Sequence, residues 1–239
     1  EELDLHPDIR EVSVERRDAG AWVRFTDPDG SVHEGTYSRV LVATGRRANL
    51  GGLGLELAGV TVSDRGRVDY DPLTMQIGDT HVFIAGDVDG DRPLLHEAAD
   101  EGRFAGTNAA RFPEVYVHPR RASLGIVFSD PQLAVVGTRF ADLPNDAVVG
   151  GVDLSDQGRS RVMRENRGWL HVYADRTGRL LGAELAHPRA EHLAHTLSWA
   201  HQLGLTVGQM LDLPFYHPVI EEGLRTALRD AHHQLRHQA

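Results

Sequence analysis

Residues 169–185, WLHVYADRTGRLLGAEL, hold two alternating segments joined by a turn. Trp169 to Ala174 and Leu180 to Leu185 alternate apolar with polar or small side chains, the period-two pattern of a strand with one buried face. Between them Asp175-Arg176-Thr177-Gly178 is a strong hairpin signal. A tight hairpin pairs its strands antiparallel, so the sheet built on it is predicted to be antiparallel. Upstream, Leu124 to Phe128 and Leu133 to Val136 read as short strands around Asp130-Pro131. Downstream the period changes to that of helices. One is expected over about 189–203, with Leu193, Leu197, Ala200 and Leu203 on one face and Gly204 at the C-terminal cap. A short helix is expected over 207–213. A last one is expected over 218–235, with Ile220, Leu224, Ala227, Leu228, Ala231 and Leu235 on one stripe. Strands followed by helices predict an α+β unit with an antiparallel sheet.

Before about residue 119 the character differs. The stretch 8–42 reads as a hairpin plus a strand, turning at Asp27-Pro28-Asp29-Gly30. Val40 to Ala43 is a continuous apolar run, as a buried strand would be, and it ends at Thr44-Gly45. Residues 46–58 read as a Gly-rich connection. Gly52-Leu53-Gly54 invites a dinucleotide-loop reading, but Leu57 stands where the third glycine belongs, so a loop is expected. Val82 to Ala85 reads as a second buried strand, ending in Gly86-Asp87. A helix is expected from about His96 to Arg111, packing its small stripe (Ala98, Gly102, Ala105, Ala109) on a sheet. The C-terminal tail, with His232, His233 and His237, is expected to fray.

Composition sets the outer limits. The 239 residues are enough for one large domain or two modest ones. A formal net charge of −10 is a poor match to nucleic acid or an anionic membrane, and neither is expected as a partner. No apolar run is long enough for a spanning helix, and no signal peptide is visible, so a cytoplasmic location is expected. The absence of cysteine excludes disulfides, thiolate metal sites and thiol redox chemistry within these residues. The start at Glu1 carries no helix-start pattern and reads as mid-domain, so a C-terminal piece of a longer protein is expected; tag removal is the plainer alternative. Among the histidines, His187, His192, His195 and His201 complete no convincing ligand set, and no metal site is expected.

Two motifs carry chemistry. In the first, a strand ends in Gly86-Asp87: glycine lets a ligand approach the backbone, and the carboxylate suits a polyol or ribose hydroxyl. The helix that follows would offer free amides and a positive dipole at its start, near Leu95-His96. A lone Gly-Asp is more often a capped turn. In the second, His217-Pro218-Val219-Ile220-Glu221-Glu222, the proline suits the first turn of a helix and puts His217 at its entrance. A carboxylate at Glu222 against the imidazole would fix its tautomer and stabilise its cation, as acid–base work requires. Taken alone, His-Pro here is more often a plain cap, and Glu221 and Glu222 more often face solvent.

The run from Thr80 to Gly102 resembles the second flavin-binding segment of the pyridine nucleotide–disulfide oxidoreductases, the family of dihydrolipoamide dehydrogenase and glutathione reductase. The resemblance implies that Asp87 holds the ribityl chain of FAD and that Pro93, Leu94, Leu95 and His96 lie along the flavin. Ala43-Thr44-Gly45-Arg46-Arg47 resembles the family's exit from its NAD domain, implying Gly45 near the nicotinamide nucleotide; Ala48 stands where the family often has proline. The stretch 213–229 is similar to the dihydrolipoamide-dehydrogenase-like branch, which implies that His217 is the catalytic base and Glu222 its orienting partner. Phe215 departs from a histidine found there in many members, which leaves the exact substrate open. Phe128-Ser129-Asp130-Pro131 and 179–186 resemble the dimerisation domain.

The resemblance thus implies residues 1–46 as the end of an NAD-binding domain, 47–118 as the C-terminal segment of an FAD-binding domain, and 119–239 as a dimerisation domain. It implies FAD, and NAD or NADP, as cofactors of a longer enzyme, with the glycine loop and redox cysteines outside these residues; the isolated chain is expected to be inactive, with FAD binding to it left open. It implies a homodimer acting on a lipoyl-like dithiol or disulfide. The competing readings are a non-catalytic dimerisation module and half of a soluble pyridine nucleotide transhydrogenase. A mercuric-ion reductase is ranked low, because the tail ends without cysteines.

Overall fold

The hairpin at 169–185 forms as its turn chemistry dictates. In the computed structural model, which describes residues 3–18 and 20–237, Asp175 Oδ1 accepts hydrogen bonds from the Thr177 amide and hydroxyl and from the Arg179 amide. Gly178 takes a positive φ of 82°, the left-handed conformation a side chain would strain. Either side of this turn run β7 (Trp169–Ala174) and β8 (Leu180–His187). With β4 (Leu124–Val127), β5 (Gln132–Gly137) and β6 (Val148–Asp153) they make a five-stranded antiparallel sheet in the order β4-β5-β8-β7-β6. The alternation in the sequence becomes a buried face: Leu170, Val172, Ala174, Leu180, Ala183 and Leu185 all point into one core.

Helices cover that face. They are α3 (Ala190–Gln202), α4 (Val207–Leu211) and α5 (Glu221–His237). Leu193 and Leu197 of α3 and Leu224, Ala227, Leu228 and Ala231 of α5 fill the core. Helix α5 comes so close to β6 that a Cβ on Gly150 would collide with the Ala227 carbonyl. Gly204 ends α3 with a positive φ of 66°, as expected of a C-terminal cap. Two elements were not legible in the sequence: β6, whose Gly150-Gly151 pair weakens the strand signal, and the short α2 (Gly158–Met163), capped by Gln157.

Several expectations need correction. Helix α5 begins at Glu221, not Pro218, because residues 217–220 form turns that lead into it. It does not fray at its histidines: it continues to His237, held by Leu235 against the core and by Gln234 Nε2 donating to the Val149 carbonyl. The run 40–43 is no buried strand; it pairs with no strand among the described residues, and Leu41 is 91 % exposed. Residues 82–85 make only a short antiparallel bridge to 75–77, with Ile84 buried and its neighbours half-buried.

The chain divides into two compact units, 1–48 and 49–239. The first is a three-stranded antiparallel meander of β1 (Arg10–Arg17), β2 (Gly20–Thr26) and β3 (Val32–Tyr37). Its second turn repeats the 175–178 design, with Gly30 at φ 90° and its amide donating to the Asp27 carbonyl. In the second unit α1 (Leu95–Arg111) packs Phe104 and Ala105 against Met75. Its buried face is Glu97, Glu101, Phe104, Ala105 and Asn108, not the predicted small stripe, of which Gly102 and Ala109 are exposed. Asn108 reaches the core because its side chain satisfies backbone groups of Thr74 and Tyr116.

Candidate active-site half

The turns ahead of α5 present His217 to solvent. Its Nδ1 lies 3.0 Å from each oxygen of Glu222, in the first turn of α5. The His217 side chain is 80 % exposed and that of Glu222 28 %. Hydrogen bonding from His217, reinforced by the Val219 amide at 3.3 Å, holds the Glu222 carboxyl below its ordinary range. An ionised carboxylate only accepts, so Nδ1 carries the proton in this pair and Nε2 is left as the outward-facing nitrogen. That arrangement suits proton exchange with a bound group at Nε2, with Glu222 stabilising the imidazolium when it forms.

Of the residues the sequence singled out, His217 and Glu222 are therefore brought together. Gly86, Asp87 and 93–96 follow one another ahead of α1. Gly86 is buried with a positive φ of 80°, and Asp87 is exposed. The α1 N-cap, Leu94, makes no side-chain capping bond, so the first amides of the helix are not covered by their own cap. Pro93, Leu95 and His96 are exposed and Leu94 is half-buried. A cradle of this kind fits an electron-rich ring and a polyol chain, which are parts of FAD. Gly45, in the unit 1–48, is exposed with φ 92°.

Sequence reasoning missed what holds the Gly86-Asp87 turn. Glu101 is fully buried; its Oε2 accepts from the Gly86 amide at 2.7 Å and its Oε1 from Arg120 at 2.6 Å. Glu97, also buried, accepts from Arg92 at 3.1 Å and Arg120 at 2.9 Å. Burial raises the Glu97 carboxyl's pKa, but the two guanidinium groups outweigh this and hold it below the usual value. Burial and the neighbouring Asp89 push Glu101 upward despite Arg120 and the Gly86 amide. The available signal was the spacing of Glu97 and Glu101, one turn apart on the face that carries Phe104 and Ala105.

The four histidines considered as ligands do not converge. His187 is buried, with Nδ1 donating to the Pro188 carbonyl at 2.6 Å, and His195 donates to the Glu191 carbonyl at 2.7 Å. His192 is exposed and His201 sits half-buried against Gly137.

A family model described as "Pyridine nucleotide-disulphide oxidoreductase, dimerisation domain" covers residues 123–228, and one described as "Pyridine nucleotide-disulphide oxidoreductase" covers 7–102. The chain belongs to the pyridine nucleotide–disulphide oxidoreductase family. Among its relatives in this family, a dihydrolipoyl dehydrogenase of Halobacterium salinarum is 31 % identical over 98 % of this chain and 49 % of its own length. A mercuric reductase of Streptomyces lividans is 30 % identical over 88 % of this chain and 44 % of its own length. The solved structure of LpdA from Mycobacterium tuberculosis superposes with a TM-score of 0.73 at 27 % identity, over 93 % of this chain and 48 % of LpdA. The chain thus spans about half the length of the family members it matches.

Proposed function

We propose that the chain is the C-terminal portion of a FAD-dependent NAD(P)H:disulfide oxidoreductase of the dihydrolipoyl dehydrogenase type, and that it supplies the acid–base pair and the dimer interface. The observation that carries this reading is His217, its Nδ1 held by both oxygens of Glu222 and its other nitrogen facing outward. FAD, held in part by Asp87 and residues 93–96, would supply electron transfer between the nicotinamide and a dithiol or disulfide. The Nε2 of His217 takes the proton of a substrate thiol, raising its thiolate fraction, and returns it to the departing thiolate in the reverse direction. Glu222 keeps the ring oriented and stabilises its charge. Asp87 would accept from the ribityl hydroxyls, residues 93–96 would lie along the flavin, and Gly45 would leave room for the nicotinamide nucleotide. The domain division 1–46, 47–118 and 119–239 belongs to this proposal, as do a lipoyl-like substrate and a cytoplasmic location.

A groove of about 410 Å³ between α3 and the segment leading to His217 supports the homodimer. Trp199, Leu203, Leu213 and Tyr216 are large, apolar and exposed there, Trp199 at 66 %. Apolar exposure of this kind marks a protein interface, and a second copy of a dimerisation domain is the fitting occupant. The apolar run 40–43 calls for sheet neighbours from residues outside this chain.

In the enzyme that contains this chain, His217→Ala lowers dithiol turnover about 100-fold or more; unchanged turnover sinks the assignment. The absence of cysteine favours a second reading for the 239 residues by themselves, a non-catalytic dimerisation module. Flavin absorbance decides: stoichiometric FAD on the purified chain contradicts the module reading. Sedimentation of a monomer contradicts the dimer.

A further inference from the structure

In the unit 1–48, His6 Nδ1 lies 3.0 and 3.1 Å from the two oxygens of Asp27, and His33 Nε2 lies 2.7 Å from Asp27 Oδ2. Among the described residues these are the only three His, Asp or Glu side chains whose donor atoms converge within 4.8 Å of one another. We propose that His6, Asp27 and His33 form a binding site for a divalent first-row transition ion of borderline softness, Zn2+ above all, with water as the fourth ligand.

The donor set matches the ion. Two imidazole nitrogens and one carboxylate suit Zn2+, and an open fourth position accommodates water. Tetrahedral bonds of about 2.0–2.2 Å separate the donors by roughly 3.3–3.6 Å. The present separations therefore need only a small outward movement to admit an ion. The site is also prepared by its scaffold. Asp27 and His33 sit on the β2–β3 hairpin, fixed by the Asp27–Ser31 backbone bond, and His33 is the cross-strand partner of Phe25. Phe25 stacks on His33 at 5.0 Å and meets His6 edge-on at 4.9 Å, so one ring sets the orientation of both imidazoles. All three ligands are partly buried, at 23 %, 19 % and 39 % side-chain exposure for His6, Asp27 and His33.

A second observation points the same way. Asp4 Oδ1 stands 3.4 Å from Nε2 of His6, behind the nitrogen that faces Asp27. A carboxylate there keeps the proton on Nε2 and frees the Nδ1 lone pair for a metal, the usual arrangement behind a metal-bound histidine. Asp4 and Asp27 together give the pocket a negative surround. An ion bound here ties the segment before β1 to the β2–β3 turn.

The test is calorimetric titration of the 239-residue chain with ZnCl2 at neutral pH, with CoCl2 absorption reporting tetrahedral nitrogen and oxygen coordination. A His233→Gln/His237→Gln chain serves as background, because those two rings lie 4.2 Å apart on α5 and could bind zinc separately. One Zn2+ per chain is expected in that background. Asp27→Asn and His33→Gln should weaken it about 100-fold or more, since losing a group behind a ligand already costs about 10–100-fold. Asp4→Asn, at a side chain 94 % exposed, should weaken it about tenfold. Circular dichroism checks that each variant is folded. The proposal is overturned by no saturable zinc binding in the background chain, or by binding that survives Asp27→Asn, His33→Gln and Asp4→Asn undiminished.

Discussion

Two segments whose sequences suit a strand, Val40-Leu41-Val42-Ala43 and Ala183-Glu184-Leu185-Ala186, meet opposite fates. Ala183, Leu185 and Ala186 are buried in the five-stranded sheet, whereas Leu41 and Val42 are exposed. The difference is in their neighbours. Strand β8 has β7 joined to it by the five residues 175–179 and β5 on its other side, so its backbone is hydrogen-bonded on both edges and its buried side chains lie under α3. Residues 40–43 have no strand on either edge among the described residues. An apolar run states that a segment suits a buried strand; it does not supply the partners that bury it. The His217–Glu222 pair sits with the self-sufficient region, and the Gly86-Asp87 turn sits in a segment whose strand is reduced to a bridge.

Four measurements break or sharpen that contrast. The largest effect belongs to the closed core: Leu228→Ala, fully buried among α5, α4 and the sheet, should cost about 3–4 kcal/mol by urea unfolding. A loss below about 1 kcal/mol would mean that the core is not close-packed. Next is the buried ion cluster behind Gly86. Glu101→Ala removes the acceptor of the Gly86 amide and one partner of Arg120, and should cost about 3 kcal/mol, read from the melting of the unit 49–239. If it costs nothing, the turn is held by something else.

A smaller effect is pH-dependent. Burial lowers the pKa of His187 in the folded chain, and burial together with Arg179 lowers that of His201. The unfolded chain therefore binds these protons first. The stability they contribute is complete above the ordinary histidine pKa of about 6.5 and is lost as pH falls from there toward the depressed folded values, at up to about 1.4 kcal/mol per pH unit for each group. His187→Leu should flatten that slope in the melting temperature of the unit 49–239; an unchanged slope would assign it to other groups. The smallest effect is on the unpartnered run: Leu41→Ser should change the stability of the isolated chain by less than about 0.5 kcal/mol. A larger loss would show that 40–43 is buried in solution.

The legibility of each part follows from how local its cause is. The 175–178 turn, the faces of α3 and α5, and the Gly204 cap were readable because side chains within a few residues of one another cause them. Strand β6 was hidden by Gly150 and Gly151: α5 passing overhead, about 80 residues away in sequence, requires the small size of Gly150, and His171 of β7 crowds Gly151. The buried face of α1 was misassigned to small residues because two carboxylates are poor guesses for a core. Arg120 and the Gly86 amide make them tolerable, and neither is near them in sequence.

By itself the sequence determined the antiparallel α+β class of 119–239, the family, and the His217–Glu222 pair, whose five-residue spacing bridges one turn of chain. Tertiary structure alone decided that Glu97 and Glu101 lie inside, that 40–43 lies outside, and that His6, Asp27 and His33 meet. Glu101 reaches the Gly86 amide from 15 residues away and His6 reaches Asp27 from 21, and at such separations only the packing of the whole unit, not the local pattern of side chains, selects which groups become neighbours.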